Sequence, residues 1–267
     1  MKKILFILIA IIFSMNICAV NAETGSNNST LEKLLTGSDE ERAVIYYTMA
    51  STYSELKDHK SAVEYYTKAI ELNPKMIGAY VGRAKDCGDM GDWQCSLDNY
   101  ESIKKLRPND PNAYWATSLY KTNTKDLDGA MADIDKAISM VKKPNATFYA
   151  QKAWVYLEKK DYNNAVKWAK KALRRDYRDE YTLGLISVMA YENGRFEDVL
   201  NVTNDCLKHG KVAKENHVLL LLRAKAFYYT GQKEKAIKQM DDVIKLVPEN
   251  EEYILLKDKM QKGEKID

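Results

Sequence analysis

Any chemistry this chain performs has to draw on a short supply of reactive side chains: three histidines, His59, His209 and His217, and four cysteines, Cys18, Cys87, Cys95 and Cys206. Cys206, His209 and His217 lie near one another in sequence, and a metal-dependent binder or enzyme using His209 and His217 is one alternative function. A packed cysteine with two surface histidines accounts for the same triplet. Thr124, Asp126, Asp128, Gly129 and Asp135 fall at calcium-loop offsets. Threonine takes the first acidic place there and a short aspartate replaces the long bidentate glutamate, so a turn between helices is the simpler reading. The chain has no glycine-rich phosphate loop, paired CxxC, HExxH or GxSxG motif. The expectation is therefore a protein with no catalytic residues, no metal and no cofactor.

The elements that would position these residues follow from composition. The chain has 267 residues, 41 Lys+Arg against 38 Asp+Glu, a formal charge of +3, and only 12 Gly and 5 Pro. Near charge balance provides no long-range field for nucleic acid, so no nucleic-acid partner is expected. Few helix breakers among abundant Ala, Lys, Glu and Leu favour an all-α chain. The start differs from the rest. Lys2-Lys3, an apolar run from Ile4 to Met15, and small residues at Val20 and Ala22 read as a bacterial signal peptide over 1–22, cleaved before Glu23. The mature chain is then periplasmic or secreted, with no later segment of membrane-spanning length and a flexible stretch over 23–37. A lipid anchor on Cys18 is the minority alternative, because Ile17 precedes it. In an oxidising compartment thiols pair. Cys87 late in one helix and Cys95 early in the next form a possible disulfide, leaving Cys206 packed inside.

Repetition is the strongest signal. Ala62, Ser96, Ala130, Ala165, Val199 and Ala236 recur with spacings of 34, 34, 35, 34 and 37 residues. Seven residues on, along the same helical face, come Ala69, Ile103, Ala137, Ala172, Cys206 and Val243. Each unit opens with a large residue (Tyr46, Tyr80, Tyr114, Tyr149, Leu183, Leu220) and a small one a turn later (Ala50, Ala84, Ser118, Ala153, Ser187, Ala224). Gly91, Gly194 and Gly231 mark turns between paired helices. Pro74, Pro108 and Pro248 close units, and Ser38 to Glu41 has capping-box spacing.

These columns resemble the tetratricopeptide repeat (TPR) family over roughly residues 43 to 250. The resemblance implies an all-α TPR-type solenoid, a right-handed superhelix of helix-turn-helix repeats. Six repeats span 38–250, at about 43–76, 77–110, 111–145, 146–179, 180–216 and 217–250, and a capping helix and tail occupy 251–267. The longer step into the last repeat places a loop around Lys208 to Lys214.

In this family the first helix of each unit lines a concave groove. The residues placed there are Tyr47, Ser51, Val81, Lys85, Trp115, Leu119, Trp154 and Leu157, with Tyr181, Tyr191 and Tyr228 continuing the row. Such aromatics anchor a peptide or partner helix. The Lys, Asn and Arg set with which some members clamp a C-terminal carboxylate is not matched. A basic patch of Lys167, Lys170, Lys171, Arg174, Arg175 and Arg178 follows helical spacing and offers an anionic envelope surface a weak second contact. The expected function is a non-catalytic, exported scaffold binding protein or peptide partners during assembly of a cell-envelope complex. A pilotin-like chaperone or lipoprotein for an outer-membrane or pilus component is the narrower alternative.

Overall fold

The computed structural model describes residues 37–209 and 213–266. The signal-like segment, Cys18 and the stretch up to residue 36 lie outside the described residues. Thirteen α-helices and no strand occur among those described: α1 (Asp39–Glu55), α2 (His59–Leu72), α3 (Ile77–Asp89), α4 (Trp93–Leu106), α5 (Pro111–Asn123), α6 (Leu127–Ser139), α7 (Ala146–Glu158), α8 (Tyr162–Arg175), α9 (Glu180–Tyr191), α10 (Phe196–His209), α11 (His217–Tyr229), α12 (Lys233–Leu246) and α13 (Glu251–Lys262). They form two compact units divided after Lys125. The first contains α1 to α5 and the second α6 to α13.

The small columns are where helices meet. Ala62, Ser96, Ala130, Ala165, Val199 and Ala236 are all fully buried, and so are Ala69, Ala137, Ala172 and Val243 seven residues on. A side chain of one or a few carbons at these points lets backbones approach, and the larger residues flanking them supply the apolar area. In the first unit those residues are tyrosines: Tyr53 and Tyr66 are buried, and Tyr65 stacks on Tyr53 at 5.3 Å. Close approach also fixes Gly82, where a Cβ would lie 2.3 Å from the Tyr66 ring. The core of the second unit is aliphatic, centred on Leu185, Ile186, Met189, Leu219, Met240 and Met260.

Caps and turns repeat with the same register. Ser38 caps α1, accepting from the Glu41 N–H at 3.3 Å while its own N–H donates to the Glu41 carboxylate at 3.0 Å. Asp58, Asp92, Asp126 and Asp161 each accept a backbone N–H at the start of the second helix of a pair. Those bonds hold the Asp58 carboxyl below the usual range: the side-chain and backbone groups of Ser61 donate to its charged form. One residue before each of these caps, Lys57, Gly91, Lys125 and Lys160 have positive φ, as do Gly194 and Gly231 in the last two turns. The sequence marks three of these turns with glycine, and lysine takes the other three. An L side chain in the left-handed region costs about 1–2 kcal/mol, partly offset by the chain entropy that glycine loses. Lys57→Gly is therefore expected to raise stability by about 0.5–1 kcal/mol and Gly91→Ala to lower it, both read from urea midpoints.

The step into the last pair differs from the sequence expectation. Lys208 and His209 belong to α10, and Ala213–Glu215 form a short 3-10 turn; residues 210–212 lie outside the described residues. Past α13, Gly263 takes φ 76° and turns the chain back on itself.

Candidate functional site

In the first unit, α1, α3 and α5 carry Tyr47, Lys85, Trp115 and Leu119. Tyr47 is half-buried against Tyr66, 5.8 Å between rings, and its carbonyl accepts the Ser51 hydroxyl at 3.0 Å. Lys85 and Val81 are exposed. Trp115 and Leu119 are half-buried, and the Trp115 indole Nε1 is buried without a hydrogen-bond partner among the described residues. Trp115 and Trp154 fall in different units.

In the second unit, α7, α9 and α11 supply the remaining members of the aromatic row. The Trp154 indole donates to the Tyr181 carbonyl at 3.3 Å, with the rings 5.6 Å apart. The Tyr181 hydroxyl donates to Gln151 Oε1 at 2.7 Å, and burial pushes its phenol well above the usual range. These residues form a fixed wall rather than free anchors. Leu157 is a correction to the sequence reading. Only 6% exposed, it belongs to the aliphatic core and offers nothing to a partner. Tyr191 is the open member of the row at 44% exposure. Lys225 Nζ sits 5.3 Å from its ring, and Phe196 meets it edge-on at 6.2 Å. Desolvation pushes the Tyr191 phenol up to about 12, so it remains a neutral hydrogen-bond donor at physiological pH. Tyr228 is not open. Its hydroxyl donates to the Glu264 carbonyl at 2.7 Å, Tyr229 donates to the Ile266 carbonyl, and Ile266 is fully buried. The segment after α13 thus covers that end of the row.

The basic patch is largely engaged within its own unit. Arg174 makes two hydrogen bonds to Asp205, at 2.7 and 2.6 Å, which lower the Asp205 carboxyl and raise the guanidinium. Lys170 donates to Asn201 at 2.7 Å, Arg175 to the Pro144 carbonyl at 3.0 Å, and Arg178 pairs with Asp176 at 3.9 Å. Lys171 lies 3.9 Å over the Trp168 ring. Lys167 is exposed. Lys170 and Arg174 are spent on the neighbouring pair and Lys171, Arg175 and Arg178 on nearer groups, which weakens the case for an anionic partner there.

His209 and His217 do not join Cys206 in a ligand group among the described residues. Cys206 is buried, and desolvation pushes its thiol up to about 11, which disfavours the thiolate a metal needs. His209 Nδ1 lies 2.9 Å from the Asp205 carbonyl, and His217 packs near the Tyr253 ring at 6.1 Å. The calcium-like acids are also dispersed: Asp126 caps α6, Asp128 pairs with Lys159 at 2.5 Å, and Asp135 pairs with Lys152. Cys87 and Cys95 are disulfide-bonded, Cα atoms 5.9 Å apart, between the end of α3 and the start of α4. The grouping that sequence reading missed is His59 with Asp86 and Asp89, 27 and 30 residues away.

A tetratricopeptide repeat family model matches residues 43–76 and 146–179, and a second such model matches 219–250. The chain contains tetratricopeptide repeats. The matched stretches coincide with the pairs α1–α2, α7–α8 and α11–α12, so the TPR units are the helix hairpins described above. Serine/threonine-protein phosphatase 5 of Rattus norvegicus is 27% identical, over 27% of this chain and 21% of its own length. TPR repeat-containing protein MJ1428 of Methanocaldococcus jannaschii is 24% identical, over 62% of this chain and 31% of its own length. The chain therefore matches less than a third of either relative. Among solved structures, a tetratricopeptide repeat protein from Parabacteroides merdae aligns with TM-score 0.58 and 14% identity, covering 87% of this chain and 90% of its own. PilW, a type IV pilus biogenesis factor, aligns with TM-score 0.55 and 16% identity, covering 80% and 97%. PilF of Pseudomonas aeruginosa aligns with TM-score 0.53 and 14% identity, covering 83% and 99%. At these identities the likeness is one of fold: an all-α, TPR-type solenoid.

Proposed function

We propose that this TPR chain is a non-catalytic, exported scaffold that binds a peptide or partner helix on the first-helix face of its second unit, in assembly of a cell-envelope complex. The observation carrying this reading is Tyr191, a large aromatic left 44% exposed, with Lys225 Nζ 5.3 Å from its ring. Val188 and Leu221 are half-buried on the same pair of helices. An exposed aromatic with a cation beside it suits an apolar side chain flanked by acidic or carbonyl groups. Trp154, whose indole donates to the Tyr181 carbonyl, and Tyr181, whose hydroxyl donates to Gln151, supply a rigid edge that loses little entropy on binding. The narrower reading, a pilotin-like chaperone or lipoprotein, draws support from the fold shared with PilW and PilF. It needs acylated Cys18, whereas a free amino terminus at Glu23 excludes it.

The test is co-purification of the tagged chain from its native host beside a Tyr191→Ala, Lys225→Ala double variant. Both side chains are at least partly solvated, so the variant is expected to fold. A partner captured by the parent and reduced at least tenfold by the variant supports the proposal. Equal capture by both moves the interface elsewhere.

A further inference from the structure

His59, Asp86 and Asp89 meet where the first hairpin packs on the second. Asp86 is fully buried, His59 is 19% exposed and Asp89 is 43% exposed. His59 Nδ1 lies 2.6 Å from Asp86 Oδ1 and 3.8 Å from Asp89 Oδ2, and the Ser54 hydroxyl donates to Asp86 Oδ1 at 2.8 Å. One potential ligand atom from each of the three residues falls within 4.8 Å of the others. The second carboxylate oxygen of Asp86, Oδ2, is buried with no hydrogen-bond partner.

A cluster of this kind breaks the rule followed at the next interface. Counting 27 residues from Trp93, the counterpart of His59, leads to Tyr120, and those two rings pack at 6.4 Å. In the second unit the same step runs from Tyr162, which packs against the aliphatic core, to Met189, fully buried within that core. An imidazole and a buried carboxylate thus replace an apolar pair, at the desolvation cost of an ion inside protein. A proton on His59 compensates only in part. A single Nδ1–H can serve one carboxylate well, yet two converge on that nitrogen, and the orphan Oδ2 gains nothing from it. A cation that accepts lone pairs from several directions answers both features.

We propose that His59, Asp86 and Asp89 form a binding site for one divalent transition-metal cation of the zinc class. Imidazole nitrogen with two carboxylates is a borderline donor set. Three protein ligands are too few for calcium, and the nitrogen disfavours magnesium. Ser54 orients the Asp86 carboxylate, and exposed Asp89 forms the rim through which the ion enters. The neighbouring Cys87–Cys95 bridge ties the end of α3, which carries both aspartates, to α4. With three protein ligands, a fourth tetrahedral position falls to a water or to a ligand from a bound partner.

The experiment titrates the chelator-treated full chain with Zn²⁺ by calorimetry and, separately, with Co²⁺ by visible absorption. One ion per chain is expected, with a raised melting temperature and no comparable response to Mg²⁺ or Ca²⁺. Asp89→Asn, at an exposed position, should weaken binding at least about tenfold, and His59→Ala should abolish the Co²⁺ spectrum. A His209→Ala, His217→Ala double variant should bind as the parent does. Absence of saturable Zn²⁺ binding overturns the proposal. So does binding unchanged in both Asp89→Asn and His59→Ala, or binding lost in the His209, His217 double variant. Far-UV circular dichroism of each variant separates loss of the site from loss of fold.

Discussion

Ile186→Ala is expected to lower the unfolding free energy by about 2–5 kcal/mol. Ile186 is fully buried in the aliphatic core of the second unit, with Leu185, Met189 and Leu219 in the same cluster. Removing three carbons loses their transfer energy and leaves a space that helices pinned by alanine contacts cannot close. Urea denaturation followed by circular dichroism measures the loss, and Leu255→Ala, at a side chain 56% exposed, should fall within about 0.5 kcal/mol of the parent. Because each repeat packs chiefly on its neighbours, hydrogen exchange should rise first in α9 to α12. An Ile186→Ala protein as stable as the parent would show that this core is not close-packed.

Reduction of Cys87–Cys95 is the second large effect. The bridge closes a loop of sequence separation 8, so restricting the unfolded chain accounts for about 2–3 kcal/mol. Adding a phosphine reductant should lower the urea midpoint of the parent and leave a Cys87→Ala, Cys95→Ala variant unmoved. The contribution is confined to proteins kept in an oxidising compartment, which ties it to the proposed export. An unchanged midpoint on reduction would mean that α3 and α4 are held by packing alone.

Much of the architecture was legible because repetition leaves a one-dimensional trace. A helix that must bury the same stripe in every unit needs the same small residue at the same offset, and six such positions from Ala62 to Ala236 are all fully buried. The turns were half legible. Glycine announces a left-handed residue and lysine does not, so Gly91, Gly194 and Gly231 were visible as stops while Lys57, Lys125 and Lys160 were not. Their signal was the aspartate that follows each lysine and caps the next helix.

Surface chemistry was harder to read, since a long side chain is spent on whatever lies one repeat away. In the second unit these exchanges keep a register of 31 residues, as Lys170 to Asn201, Arg174 to Asp205 and Tyr162 to Asn193. Part of a basic stripe seen along one helix is therefore spent on cross-repeat bonds once the neighbour is in place. The aromatic row divides likewise into a wall, Trp154 with Tyr181, an open member, Tyr191, and a covered one, Tyr228.

The sequence by itself determined the helices, their pairing and the small-residue seams, because these depend on periodicities of a few residues within a helix and about 34 between units. Only the tertiary structure decided which polar and aromatic groups remain free, and that His59 faces Asp86. Pairing between side chains 27 to 36 residues apart depends on how neighbouring hairpins pack and on which rotamer each side chain then adopts, and neither is written in local spacing.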